Sequence, residues 1–349
     1  MKVLYWGHEE WTPIPYYRGQ QFRDYWPQYG VEAAYLRYAD FPRAALDWRP
    51  IDWADVVVFR RWYQDPTTPE AWREAGLRGK ARVYDTDDWD LGTSRKIPHR
   101  ELIMRCRPLV EQMAREADIV TVATPALATK YTLYSRKPPI VVRNAVDRSL
   151  YVNGDEPPDQ QIAVFYGSRA RLTDYFGAPD REGRFRGGYA HAAVVASRLP
   201  VIWMGDEGVG DTIPREFSRI VPHDKDLRNF AKALTGTHGV VGLAPLAGDE
   251  FDACKSELHW LDYSAAGIPV VAQRMMGDSP YSVIRSGRDG FLARGRSEWV
   301  GSVALLAKSP SMRADFVAAA QERLDAEYDP AKRASEWVAV FEAAIEGDV

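Results

Sequence analysis

Short apolar runs alternate along the chain with stretches in which apolar positions recur every three or four residues. The runs at 2–6, 32–37, 54–59, 81–84, 118–123 and 140–143 read as buried strands, and 20–29, 68–76, 98–117 and 125–133 read as amphipathic helices. The pattern resumes after a Pro-, Asp- and Gly-bearing linker at 151–160. Strands are expected at 162–166, 201–204, 218–221, 240–244, 269–272 and 290–292, with helices at 189–198, 226–234, 297–307, 311–324 and 331–346. Such alternation predicts an α/β protein built from two doubly wound parallel sheets, with domains over 1–150 and 151–325. The segment 170–188, rich in Arg and Gly, is long for a strand-to-helix loop, the kind of loop that carries function.

One stretch, 249–272, concentrates the chemistry. The spacing of Cys254, Leu258, Leu261 and Ala265 predicts a single helix of about three turns with that face on the core. Lys255, His259 and Asp262 fall on a second stripe of the same helix. Asp252 is its expected N-cap, and a helix start flanked by a lysine attracts phosphate. An ordinary solvated edge of an amphipathic helix explains the same spacing. Four acids, Asp85, Asp87, Asp88 and Asp90, follow the strand at 81–84, where carboxylates serve as a base, hold sugar hydroxyls, bind a divalent metal or cap the next helix.

Charge divides the chain. Residues 1–150 carry 23 basic and 20 acidic residues, against 22 and 29 in 151–349, and they hold 8 of 12 Trp and 11 of 18 Tyr. A mildly basic, aromatic-rich half suggests a surface that grips rings of sugar or base; packing accounts for most of those aromatics. No run of about eighteen apolar residues occurs, so no spanning helix is expected, and the opening MKVLYWGHEEW is too polar for a signal peptide. Cys106 and Cys254 form no metal or disulfide pattern, which fits a reducing, cytoplasmic setting.

The motifs then combine. Arg143-Asn144-Ala145-Val146-Asp147 resembles the N-G-V-D exit from the first domain of the retaining GT-B glycosyltransferases, the group that includes glycosyltransferase family 4, with Ala145 in place of glycine. Leu243-Ala244-Pro245-Leu246, Phe251, Lys255-Ser256, Asp262-Tyr263 and Ala266-Gly267-Ile268-Pro269-Val270-Val271 resemble that group's donor-binding segment, and Gly290-Phe291-Leu292 its D-G-x-N-G-L-L strand entry. The sequence departs from the group at one point. Of two family glutamates eight positions apart, the second is Asp262 here and the first is Cys254.

The resemblance implies the GT-B fold, two Rossmann-like domains facing a cleft, with a closing helix at 326–349 returning to the first. It implies transfer of a sugar from a UDP- or GDP-sugar to a hydroxyl of a saccharide, glycolipid or small molecule, with retention and without a metal or tightly bound cofactor. Charge develops on the leaving phosphate, so positive groups and N–H donors are needed there. Lys255, Arg169, Ser168 and Ser256 are the expected phosphate contacts, with Gly167 on the same turn, and Arg18-Gly19 completes a clamp on closure. Val221-Pro222 is expected against the nucleobase, Asp262 against the ribose, and Glu250 or Asp252 against the sugar. The leaving phosphate takes the acceptor's proton in a retaining enzyme; in an inverting one Asp87 or Asp88 is the base. Three other readings stand beside this one: a phage-type enzyme glycosylating a hydroxymethylated base in DNA, a non-catalytic GT-B binding protein, and a metal site at Asp85-Thr86-Asp87, which resembles the D-x-D of the other glycosyltransferase architecture. Peripheral contact with a membrane is compatible with all of them.

Overall fold

The computed structural model describes residues 1–7, 11–37, 47–60, 67–92, 94, 100–152, 161–168, 171–177, 188–205, 217–222, 224–277 and 279–347. Two compact units divide the chain. The first comprises Met1–Ala145, Cys254–Ser256 and Asp329–Val349, and the second Val146–Ala253 and Glu257–Tyr328.

In the first unit, β1 (Lys2–Trp6), β2 (Glu32–Leu36), β3 (Val56–Arg60), β4 (Ala81–Thr86), β5 (Ile119–Val122) and β6 (Ile140–Val141) form one sheet in the order β2-β1-β3-β4-β5-β6. Every pairing is parallel. Strands buried on both faces need near-continuous apolar runs, which is what Val56-Val57-Val58-Phe59 supplies. Alternate residues Val3, Tyr5, Val56, Val58 and Val83 pack on one face against Ala334, Trp337, Val338 and Phe341 of the helix Pro330–Glu346. That helix opens with Asp329, whose carboxylate accepts from Ala331 N, and Pro330 at its first position. Full burial of Trp337 and Phe341 contributes about 1.5–3 kcal/mol each.

The region expected as a loop followed by a helix at 20–29 is different. Pro13–Arg18 is helical, and Gln20–Phe22 and Trp26–Tyr29 are separate 3-10 turns. Proline at the first positions starts the helix and the second turn, and Gly30, at φ +66, closes that turn.

The second unit has β7 (Ala163–Gly167), β8 (Val201–Gly205), β9 (Phe217–Pro222), β10 (Val241–Ala244), β11 (Val270–Gln273) and β12 (Phe291–Ala293), in the order β12-β11-β10-β7-β8-β9 and parallel throughout. From β7 the chain moves outward to β9, then returns to β10 on β7's other side. The gap between β7 and β10 is therefore the topological switch point, where open α/β sheets hold ligands at the carboxyl ends of their strands. Phe165, Trp203, Leu243 and Val271 pack beneath the helices Tyr189–Ser197 and Arg296–Lys308. Tyr263 lies under β10, and its hydroxyl reaches Val164 O at 3.0 Å and Leu243 O at 3.3 Å, tying β7 to β10 from below. The linker at 153–160 and most of the 170–188 insertion lie outside the described residues; within the insertion Leu172–Phe176 is a short helix.

Candidate functional site

β4 delivers its acids to the carboxyl edge of the first sheet, and Asp85, Asp87, Asp88 and Asp90 are all buried. Asp85 receives Arg18 through both oxygens, Nη2 at 2.7 Å and Nε at 3.2 Å, and Thr121 Oγ1 at 2.8 Å. Arg18 Nη1 donates to the Val142 carbonyl and to Asn144 Oδ1. The Trp337 ring covers the guanidinium at 5.1 Å. Burial alone would lower the Arg18 pKa, but the charge and hydrogen bonds of Asp85, reinforced by Asp87, raise it and keep the cation.

This corrects the expected clamp. Arg18 is 2 % exposed and spends its donors inside the fold, where a phosphate cannot reach it. Gly19 closes the helix Pro13–Arg18, with its N–H on Tyr16 O and its carbonyl receiving Tyr35 OH at 3.3 Å.

The predicted helix at 249–272 is also corrected. It is two helices, Glu250–Ala253 and Leu258–Ala265, and Cys254-Lys255-Ser256 between them belongs to the first unit. Each of these three residues is bonded to a side chain just beyond a different strand. Thr124, after β5, donates to Cys254 O at 3.2 Å. Lys255 Nζ lies 2.6 Å from Asp88 Oδ1, after β4. Asn144 Nδ2, after β6, donates to Ser256 Oγ at 3.0 Å. The helical continuation that periodicity predicts is broken at these three residues, so Lys255 is not on the stripe of His259 and Asp262. The cap is different too: Asp249 Oδ1 accepts from Asp252 N, so Asp249 opens the short helix. The two expected catalytic residues Lys255 and Asp88 are thus brought together.

In the second unit the turn after β7 sits at the switch point. Gly167 has φ +146, and a Cβ there would meet Arg171 Cγ at 2.7 Å. Ser168 O accepts from Arg171 N at 2.8 Å. Arg169 and the adjacent 170 lie outside the described residues. The cation the structure does place here is Arg171, 3.1 Å from Asp174 Oδ2. Burial opposes its charge, but Asp174, Tyr281 and Asp252 outweigh that and raise its pKa. Sequence reasoning missed Arg171; its signal was an Arg three residues before an Asp at the start of a short helix.

Asp252 and Asp262, expected on the sugar and ribose, have work inside the fold. Asp252 Oδ2 accepts from Gly248 N at 2.9 Å and Asp249 N at 3.4 Å, holding the loop after β10, while Glu250 is half-buried in the first turn that follows. Asp262 Oδ1 receives Tyr151 OH at 2.7 Å, and Oδ2 receives Tyr166 OH at 2.6 Å. An Asp at this position therefore orders two tyrosines. His259 bridges Tyr281 OH at Nδ1 (3.0 Å) and Tyr166 O at Nε2 (3.3 Å). A carbonyl only accepts, so Nε2 carries a proton. Burial raises the Tyr281 pKa, which keeps that hydroxyl protonated. Val221 and Pro222 end β9 at the sheet's outer edge, two strands from β7.

Among the described residues no three His, Cys, Asp or Glu side chains converge as a metal site, and no helix is long and apolar enough to cross a membrane.

Neither a protein-family model nor a curated protein matches the sequence. Solved structures do match, over the whole chain. The Anabaena protein HepE in complex with UDP superposes at a TM-score of 0.63, with 14% identity over 98% of this chain and 100% of that one. Sucrose-phosphate synthase from Thermosynechococcus elongatus gives 0.70, with 11% identity over 100% of both chains. A glycosyltransferase from Rickettsia africae gives 0.62, with 10% identity over 99% of this chain and 98% of that one. At such identities the likeness is one of fold, two parallel α/β units as in the GT-B glycosyltransferases.

Proposed function

We propose that this chain is a glycosyltransferase that moves a sugar from a nucleoside-diphosphate sugar, a UDP-sugar first, to a hydroxyl of a saccharide, glycolipid or small molecule. The observation that carries the reading is the grouping of Lys255, Ser256 and Asp88 at the carboxyl edge of the first sheet. It places a cation and a hydroxyl beside a carboxylate, the groups that leaving-phosphate stabilisation and proton transfer require. The fold it shares with the UDP-bound HepE structure adds support.

In this reading Lys255 and Ser256 contact the donor phosphates. Within the second unit, Gly167 and Ser168 at the switch point, Arg171 nearby and Val221-Pro222 hold the nucleotide, and Glu250 contacts the sugar. Asp262 acts through Tyr166 on the ribose side. Transfer proceeds with retention and without a metal, the leaving phosphate taking the acceptor's proton; inversion would give that task to Asp87 or Asp88. The test is release of nucleoside diphosphate from UDP-sugars in the presence of hydroxyl acceptors. Turnover that disappears in Lys255→Ala supports the reading, and an identical rate in that variant contradicts it.

A further inference from the structure

Asn144, 1 % exposed just past β6, stands between Arg18 and Ser256. A primary amide offers one accepting oxygen and one donating nitrogen, and coordinates seldom tell them apart. Here the neighbours do. A guanidinium has only donors, so the atom 3.3 Å from Arg18 Nη1 must be Oδ1, and Nδ2 must face Ser256 Oγ, 3.0 Å away. Ser256 is therefore the acceptor in this contact and keeps its own hydrogen for another partner. The half-buried Ser256 hydroxyl makes no other hydrogen bond among the described residues. Arg18 is pinned in turn by both oxygens of Asp85 and by the Val142 carbonyl. The bonds run in one direction, with Arg18 donating to Asn144 and Asn144 donating to Ser256, and such chains polarise each successive donor.

We propose that Arg18 and Asn144 are positioning residues whose task is to present the Ser256 hydroxyl as a hydrogen-bond donor to an anionic oxygen, the diphosphate of the sugar donor, next to the Lys255 ammonium. This rests on the reading given under Proposed function and adds to it the direction of one proton and two residues that touch no substrate. A charged acceptor makes the Ser256 bond strong, because an O–H donating to a phosphate oxygen is charge-assisted.

Replacing Asn144 by aspartate separates positioning from packing. The carboxylate keeps the shape of the amide and still accepts from Arg18, but it has no N–H. Ser256 must then turn its own hydrogen inward and show lone pairs to the anion. Titration calorimetry on the full chain, with UDP and separately with inorganic pyrophosphate, is compared among wild type, Asn144→Asp, Ser256→Ala and the double variant, alongside their unfolding midpoints. Ser256→Ala is expected to weaken both ligands about tenfold at an unchanged midpoint, Asn144→Asp, which also adds a negative charge, at least as much, the double no more than Asn144→Asp alone, and Ser256→Thr to retain binding. Wild-type affinity in Asn144→Asp, or losses that add in the double variant, overturns the inference while leaving the glycosyltransferase reading intact. If Asn144→Asp fails to fold, Ser256→Ala and Ser256→Thr decide it: binding lost in the first and kept in the second supports the hydroxyl as donor, and equal binding overturns it. Pyrophosphate binding without UDP binding, lost in Asn144→Asp, keeps the inference and rejects the nucleotide. A wild type that takes neither ligand overturns both.

Discussion

The ammonium of Lys255 lies 2.6 Å from the Asp88 carboxylate across 167 residues of sequence. Their side chains are 17% and 10% exposed, so the pair is largely removed from water and from salt screening. A phosphate and Asp88 compete for the same cation. Lys255→Ala is expected to weaken UDP binding at least tenfold, whereas Asp88→Asn, which removes the competitor, tightens it a few-fold. Calorimetric dissociation constants for the two variants check this. Equal weakening in both would mean that Lys255 serves only to hold Asp88.

Arg18 answers to stability first. Arg18→Met removes the charge while keeping most of the side chain's bulk, and it leaves the buried Asp85 without its bidentate partner. The expected cost is about 3–5 kcal/mol, read from urea unfolding. A direct phosphate clamp would instead give a stable variant with weak donor binding.

Gly242 is where β10 rides over the Tyr263 ring. A Cβ there would stand 2.6 Å from Tyr263 Cγ, a distance no real contact reaches, and the ring is fixed by its hydroxyl bonds to β7 and β10. Gly242→Ala is expected to destabilise the chain by about 1–3 kcal/mol. Gly301 has no atom within 4 Å of the added Cβ and, inside the helix Arg296–Lys308, should gain a little from the same change. Thermal unfolding of the two variants provides the comparison.

Much of this fold was legible because its strands are buried on both faces and so read as apolar runs, Val56 to Phe59 being the plainest. The helices that open on a capping residue followed by proline, Pro310–Glu327 after Ser309 and Pro330–Glu346 after Asp329, lay close to where the sequence put them. The site was less legible. Lys255 sits at helical spacing from His259, yet the helix is broken at Cys254-Lys255-Ser256, where Thr124 bonds Cys254 O, Asp88 the Lys255 ammonium and Asn144 the Ser256 hydroxyl. Periodicity describes what one segment prefers alone and carries no term for partners more than a hundred residues away. Arg18 failed for the same reason: a loop arginine reads as solvent-facing until Asp85 and Trp337 are found around it. Asp262 was placed by motif, but its two tyrosine partners, Tyr151 and Tyr166, left no mark in local sequence.

Asp226 supplies a pH dependence. Its carboxylate caps the helix Leu227–Thr235 through Arg228 N at 2.9 Å, and hydrogen bonds from the Arg228 side chain hold its pKa below the ordinary 3.8. A depressed carboxylate pKa means the stabilisation is present above about pH 4 and is lost as pH falls through the folded value. Asp226→Ala is expected to cost about 1 kcal/mol at pH 7, and the gap between variant and wild type to narrow as pH falls below about 4. Unfolding midpoints measured across that range test the sign.

The central claim is that the chain binds and uses a nucleoside-diphosphate sugar. The most direct measurement is a thermal-shift titration of the full chain with UDP-, GDP- and dTDP-sugars, repeated on Lys255→Ala. At about one hundred times its dissociation constant a true donor adds about 2.7 kcal/mol of stability, so at least one compound should raise the melting temperature of the wild type by several degrees, and that of the variant by about half as much or less. No shift with any of them, or the same shift in Lys255→Ala, would contradict the account.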